Sequence, residues 1–205
     1  GYGDGSTGVV NQSGGTLSID PDGDLVIGGE AGTGNGFAVG SYAVSNGTMS
    51  VGRDVLIGPE QDADTGYGTL HVQGTNASIT AGNDFKMQSS NATYQVTLGQ
   101  GGVSTIVVTN SITLDGTITI GKDASFVLDQ VQYVLMTNSG STISGEFDVT
   151  NFVGMTTGTV TKTSNAVLLN FPVTPPSDLT AVDDGPEGVT LGWSQNGDSD
   201  DVMIV

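Results

Sequence analysis

The groups in this 205-residue chain best suited to chemistry are carboxylates in short runs. Asp20-Pro21-Asp22-Gly23-Asp24 spaces three of them as at the start of a Ca²⁺ loop, and Ca²⁺ takes hard oxygen ligands from such residues. The helix–loop–helix Ca²⁺ motif also requires Gly at its sixth position and Glu at its twelfth. Leu25 and Ala31 stand there, so that motif fails. What remains is a tight acidic turn, whose carboxylates bond nearby backbone N–H groups, or a cation site on the edge of the fold. Asp62-Ala63-Asp64, beside Glu60 in the longest polar loop, is the best of the set; Asp183-Asp184 and Asp198-Ser199-Asp200-Asp201 read as turns. Ca²⁺ is therefore the one cofactor suggested, with Asp20, Asp22, Asp24, Asp62 and Asp64 as candidate ligands.

Groups that move protons are scarce. His71 is the only histidine and occupies the polar position of Gly68-Thr69-Leu70-His71-Val72, which reads as a surface residue facing solvent. A polysaccharide lyase would need bases beside an acidic cluster, and only Arg53 and Lys86 fall in the central part of the chain, at turn-to-strand positions that could stack near each other. Two carboxylates at the right separation could run a glycosidase, but sequence does not place such a pair. No residue is assigned a catalytic role.

Four basic residues face 22 acidic ones, for a net charge of −18. Nucleic acid needs clustered Lys and Arg, and an anionic membrane surface needs the same; both are excluded as partners. No stretch approaches the ~18 consecutive apolar residues of a membrane span. There is no cysteine, so stability must come from packing and backbone pairing. The opening Gly1-Tyr2-Gly3-Asp4-Gly5 has no signal-peptide character, which fits a mature secreted protein or a fragment of one. Asn11, Asn46, Asn76 and Asn91 head glycosylation sequons in turn-like contexts.

The elements that carry these residues are written in a repeat. Gly15-Thr16-Leu17-Ser18-Ile19, Gly47-Thr48-Met49-Ser50-Val51, Gly68-Thr69-Leu70-His71-Val72 and Gly116-Thr117-Ile118-Thr119-Ile120 share one pattern. A second unit recurs as Asp24-Leu25-Val26-Ile27 and Asp54-Val55-Leu56-Ile57, with Asp84-Phe85-Lys86-Met87 as a weaker copy; its aspartates are 30 residues apart both times. Such a period signals a solenoid. Alternation with period two and turns every few residues give strands of three to five residues, three to a coil of a parallel β-helix. Each Gly before Thr would take φ > 0 at a corner, and the Thr residues would stack coil on coil. Leu17, Met49, Leu70 and Ile118 would form one interior ladder and Ile19, Val51, Val72 and Ile120 another, with Leu25, Ile27, Val55 and Ile57 also inside.

From about residue 123 to 171 strands lengthen and aromatics increase, as expected of coils that cap a solenoid end. The run SGGTLSIDPDGDLVIGG, SNGTMSVGRDVLIG, YGTLHVQG, together with FVLDQVQYVLMTNSGSTISGEFDVTNFVG and AVLLNF, resembles the repeats and final coils of bacterial autotransporter-passenger-type surface proteins, over roughly residues 8–171. The resemblance implies a right-handed parallel β-helix that is secreted and non-enzymatic. Residues 172–176 read as a Pro-rich linker. Residues 177–205 resemble the start of a fibronectin type III domain, with Trp193 as its core tryptophan; such a sandwich needs about seven strands, and three are present.

The expectation is an all-β chain: a right-handed parallel β-helix over residues 1–171, a linker at 172–176 and an incomplete sandwich over 177–205. The functional reading is a non-enzymatic extracellular or cell-surface structural or adhesive protein. It would be a homo-oligomer or filament subunit, assembled when Leu179, Val189, Leu191, Trp193, Val202 and Ile204 dock on a neighbouring copy. The alternatives are a module that binds surface glycans and a polysaccharide lyase or hydrolase.

Overall fold

The computed structural model describes residues 5–29, 38–59, 66–140, 142–155, 158–172, 177–183 and 189–194, the last two by their backbone. Alternating apolar and polar residues make strands here because a strand sends successive side chains to opposite faces, and closing the chain into coils buries one row. The first coil holds β1 (Ser6–Ile19) and β2 (Leu25–Ile27), the second β3 (Ala38–Val51) and β4 (Val55–Ile57), the third β5 (Tyr67–Ala81) and β6 (Phe85–Met87). The fourth holds β7 (Ala92–Leu98), β8 (Ile106–Val108) and β9 (Ser111–Leu114), and the fifth β10 (Thr117–Lys122), β11 (Gln132–Asn138) and β12 (Thr142–Gly145). β13 (Val149–Val153), β14 (Thr159–Lys162) and β15 (Ala166–Asn170) complete the body, and β16 (Ser177–Asp183) and β17 (Val189–Ser194) follow.

The described residues form a β-solenoid without helix. One face stacks the N-terminal halves of β1, β3 and β5 with β7, β10 and β13; a second stacks their C-terminal halves with β8 and β11; a third stacks β2, β4, β6, β9 and β12. Neighbouring repeat coils pair in parallel throughout. Antiparallel pairing enters the body with β15, which lies between β11 and β14. β16 and β17 form a separate antiparallel pair, Thr180 opposite Gly192 and Ala181 opposite Leu191. Of the expected assembly residues, Leu179, Val189, Leu191 and Trp193 fall on these two strands, while Val202 and Ile204 lie outside the described residues.

Ile27, Met49, Val51, Val55, Ile57, Leu70 and Val72 are buried as expected. Leu17, Ile19 and Leu25 are only partly covered, because nothing described lies over the first coil.

Three expectations are corrected. β1, β3 and β5 each run 14 or 15 residues, not three to five, since the corner between the first two faces is a bulged bend, at Val44/Asn46 in β3, rather than a turn. The four Gly-Thr copies are not one column. Thr16, Thr48 and Ser78 stack on the second face, with Leu17, Met49 and Ile79 as the interior row. Thr69, Thr93 and Thr117 stack on the first, with Tyr42, Leu70, Tyr94 and Ile118 inside. Glycine also serves two purposes. Gly47 has φ 91°, whereas Gly68 is required by contact: a Cβ there would stand 2.2 Å from both the Gly58 nitrogen and the Ile27 carbonyl oxygen.

Tyr94 sits at the centre of the core, its ring edge-on to Phe85 with centroids 6.3 Å apart. Its hydroxyl is buried without a hydrogen-bond partner, and burial raises its pKa. An unsatisfied buried hydroxyl costs about 1–3 kcal/mol. Tyr94→Phe should therefore match or exceed the parent in stability, by up to about 1 kcal/mol, in urea unfolding; a clear loss would show that the hydroxyl has a partner.

Candidate functional site

The ionisable groups of the repeat converge on the corner between the second and third faces. The chain leaves an inward Val51 or Ala81, turns through Gly-Xaa-Asp and enters the next buried strand. Each Asp then stands one coil below the next. Asp24 Oδ1 accepts the backbone N–H of Asp54 at 3.1 Å, and Asp54 Oδ1 accepts that of Asp84 at 3.1 Å. Asp84 Oδ1 accepts the N–H of Ser111 at 3.1 Å and its hydroxyl at 2.8 Å. The residue before each also donates: Arg53 Nε to Asp24 at 2.7 Å, Asn83 Nδ2 to Asp54 at 2.7 Å and Asn110 Nδ2 to Asp84 at 2.8 Å. The acidic turn reading holds for Asp20, which accepts the N–H of Asp22 at 3.3 Å; for Asp24, Asp54 and Asp84 the N–H groups belong to the next coil.

The cations complete this ladder. Arg53 grips Asp24 through two nitrogens and lies 3.5 Å from Asp54; Lys86 Nζ lies 2.8 Å from Asp84. Arg53 and Lys86 do lie close enough for their charges to oppose each other, yet each is held on a carboxylate. Burial alone would raise the Asp84 carboxyl; hydrogen bonds from Lys86, Ser111 and Asn110 and the Lys86 charge outweigh it and hold the group below its ordinary pKa. The hydrogen bond to Asp84 keeps the Lys86 ammonium above its own.

Of the candidate Ca²⁺ ligands, Asp20 and Asp22 are exposed and Asp24 is taken by Arg53; Asp62 and Asp64 lie outside the described residues. Among the described residues no three His, Cys, Asp or Glu side chains are grouped to hold a metal ion.

His71 does not simply face solvent, as expected. Its neighbours half-bury it, and the loss of water lowers its pKa. Nε2 lies 2.8 Å from Thr97 Oγ1, and Nδ1 3.1 Å from Gln73 Nε2. The cluster escapes sequence reading because Thr97 is 26 residues from His71 and only the register brings it across from Gln73.

Asn11, Asn46 and Asn76 are exposed and Asn91 is half-buried. Asn46 and Asn76 are register partners, so glycans on both would start ~4.8 Å apart and exclude each other. At the first coil the interior opens as a cavity of about 600 Å³, lined by Val10, Gln12, Leu17, Ile19, Leu25 and Tyr42 among others. The Tyr42 hydroxyl donates to Gln12 Oε1 at 2.5 Å.

No protein-family profile matches the chain, and neither a curated protein nor a solved structure does.

The pH response follows from the ladder. Asp84 has a depressed folded pKa, so its contribution is complete above the unfolded value near 3.8 and is lost as pH falls through the folded value. Lys86 has a raised one, so its contribution is complete below 10.5 and is lost as pH rises through the folded value. Stability should plateau between those limits. Asp84→Ala, which strips four donors of their acceptor, should lower it by about 1.5–3 kcal/mol and flatten the acid limb. A variant whose melting temperature keeps the parent's acid dependence would refute this account of the corner.

Proposed function

We propose that the chain is a non-enzymatic structural or adhesive protein of the cell surface or extracellular medium, built on a right-handed β-solenoid. The observation that carries the reading is the use made of the reactive side chains: Asp24, Arg53, Asp54 and Asp84 hold coil on coil, and Lys86 is held on Asp84. Right-handed winding is favoured because parallel strands joined by a crossover wind that way in about 98% of cases. The excess of acidic residues favours solubility in a saline medium.

Filament formation is the form of assembly proposed, with β16, β17 and the residues beyond them docking on a second copy. Two features support it: the open interior at the first coil and the exposed Val9 and Val10 along β1, whose outer edge has no described partner strand. A glycan-binding module remains the second reading, favoured by the flat polar rows of Ser and Thr on the second face.

The purified chain should leave a panel of polysaccharides uncleaved and should form head-to-tail fibres in electron micrographs. Turnover that disappears with an acidic substitution would make it an enzyme. Monodisperse particles with saturable binding on a glycan array would favour the second reading.

A further inference from the structure

The apolar rows of the interior run out uncovered at the first coil. Leu17, Ile19 and Leu25 are only partly covered, while their register partners one coil on, Met49, Val51 and Val55, are buried. The opening is a cavity of about 600 Å³, and Val10 and the Tyr42 ring complete its apolar walls. Beside it runs the outer edge of β1, which has no described partner strand.

The polar groups at this opening are acceptors. Gln12 commits both amide hydrogens, to the carbonyls of Gly15 at 3.2 Å and Thr48 at 2.9 Å. Its Oε1 takes the hydrogen of the Tyr42 hydroxyl at 2.5 Å. A carboxamide oxygen has two lone pairs and a hydroxyl oxygen also accepts, so this pair has acceptor capacity left and no donor. Apolar walls around such a pair fit a large apolar group that carries one donor and no acceptor. An indole is that group. Trp193 is the only tryptophan in the chain. It lies on β17, which pairs with β16 and with no other described strand.

We propose that the opening of the first coil is the socket for Trp193 of a second copy, with β17 laid along the free edge of β1. The indole N–H donates to the Gln12–Tyr42 pair, and its rings cover Leu17, Ile19 and Leu25. The inference rests on the filament reading and names its contact. Chain geometry favours a second copy over the same one. Phe171 follows β15, five strand steps from β1 on the second face, or ~24 Å. The six peptide steps from Phe171 to Ser177 span at most ~22 Å. The root of the hairpin at Ser177 therefore stops short of its own first coil even when the linker is fully stretched. Socket and knob are unlike surfaces, so the contact repeats from copy to copy.

Trp193 is its own probe. As the chain is concentrated and fibres appear in electron micrographs, its emission should move to the blue and its quenching by acrylamide should fall. Trp193→Ala should raise the concentration needed for fibres by about tenfold or more. Trp193→Phe, which keeps a ring and loses the donor, should fall between the two. Indole added to the Trp193→Ala chain, at a concentration where that chain is monomeric, tests the socket apart from assembly. It should bind saturably, and more tightly than N-methylindole by about tenfold or more, since the methylated ring leaves the acceptors unpaired. Fibres that form from Trp193→Ala as readily as from the parent would overturn the socket and leave the filament reading standing. Indole that binds no better than N-methylindole would overturn the role of the Gln12–Tyr42 pair. A parent that stays monomeric while indole still binds would sink the filament reading, and with it the second copy as occupant.

Discussion

The structure depends on one constraint: each coil must meet the next in a single register. In a strand the side-chain period is two, so a slip of one residue would turn the whole buried row of a coil outward. The backbone ladder alone is indifferent to such a slip, because every residue offers the same N–H and C=O. The corner carboxylates are not indifferent. Asp54 accepts the N–H of Asp84 and the amide of Asn83 together, a pair of donors that recurs only once per coil. Moving the next coil by a residue would leave a carboxylate of low exposure without partners, and an uncompensated buried charge is strongly unfavourable.

That corner also explains where the fold tolerates irregularity. Loops enter and leave on the side away from the Asp ladder, and the fourth coil makes its excursion through Gly99–Thr105 between the first and second faces. The ladder ends as it began, with a change of residue: Ser111 holds the fourth place and donates to Asp84 instead of accepting from the coil above. Beyond it the core is closed by aromatic packing. Tyr133 lies between Phe126 and Phe171 with centroids 5.9 Å and 6.0 Å away, and Lys162 ties β14 to Glu146 at 2.6 Å and to the Gly145 carbonyl. The first coil has no such closure among the described residues.

The fold class and the interior residues were legible because period-two alternation and the 30-residue recurrence of Asp24, Asp54 and Asp84 follow directly from coil geometry. The Gly-Thr pattern misled for a physical reason. Any strand entered from a tight corner favours a small residue followed by a β-branched one, so Gly47-Thr48 and Gly68-Thr69 look alike while lying on different faces, 21 residues apart in a coil of about 30. The weaker copy at Asp84-Phe85-Lys86 proved a full member, since a large buried ring and an outward lysine satisfy the same alternation as Val-Leu-Ile. Partners such as Ser111 for Asp84 and Thr97 for His71 were not legible, because they follow from register and not from any local motif.

The His71 cluster lies where the ladder of the first face gives way to that of the second. β5 pairs with β7 as far as Gln73 opposite Thr97. Beyond that pair the two chains part, and β5 resumes pairing with β8 only at Ile79 opposite Ile106. Gln73–Thr97 is therefore the last rung before an interruption, and Ser104 spans it: its N–H donates to the Gly74 carbonyl at 2.6 Å, its hydroxyl does so at 3.0 Å, and that hydroxyl accepts the N–H of Ala77 at 3.0 Å. The corner carboxylates cannot help, since they act between the second and third faces. A buried serine does at this corner what the aspartates do at the other, by pairing with backbone groups of the neighbouring coil. On the rung before it, His71 joins Thr97 of the next coil to Gln73 of its own, so side-chain contacts brace the coils on the approach to the gap as well as across it.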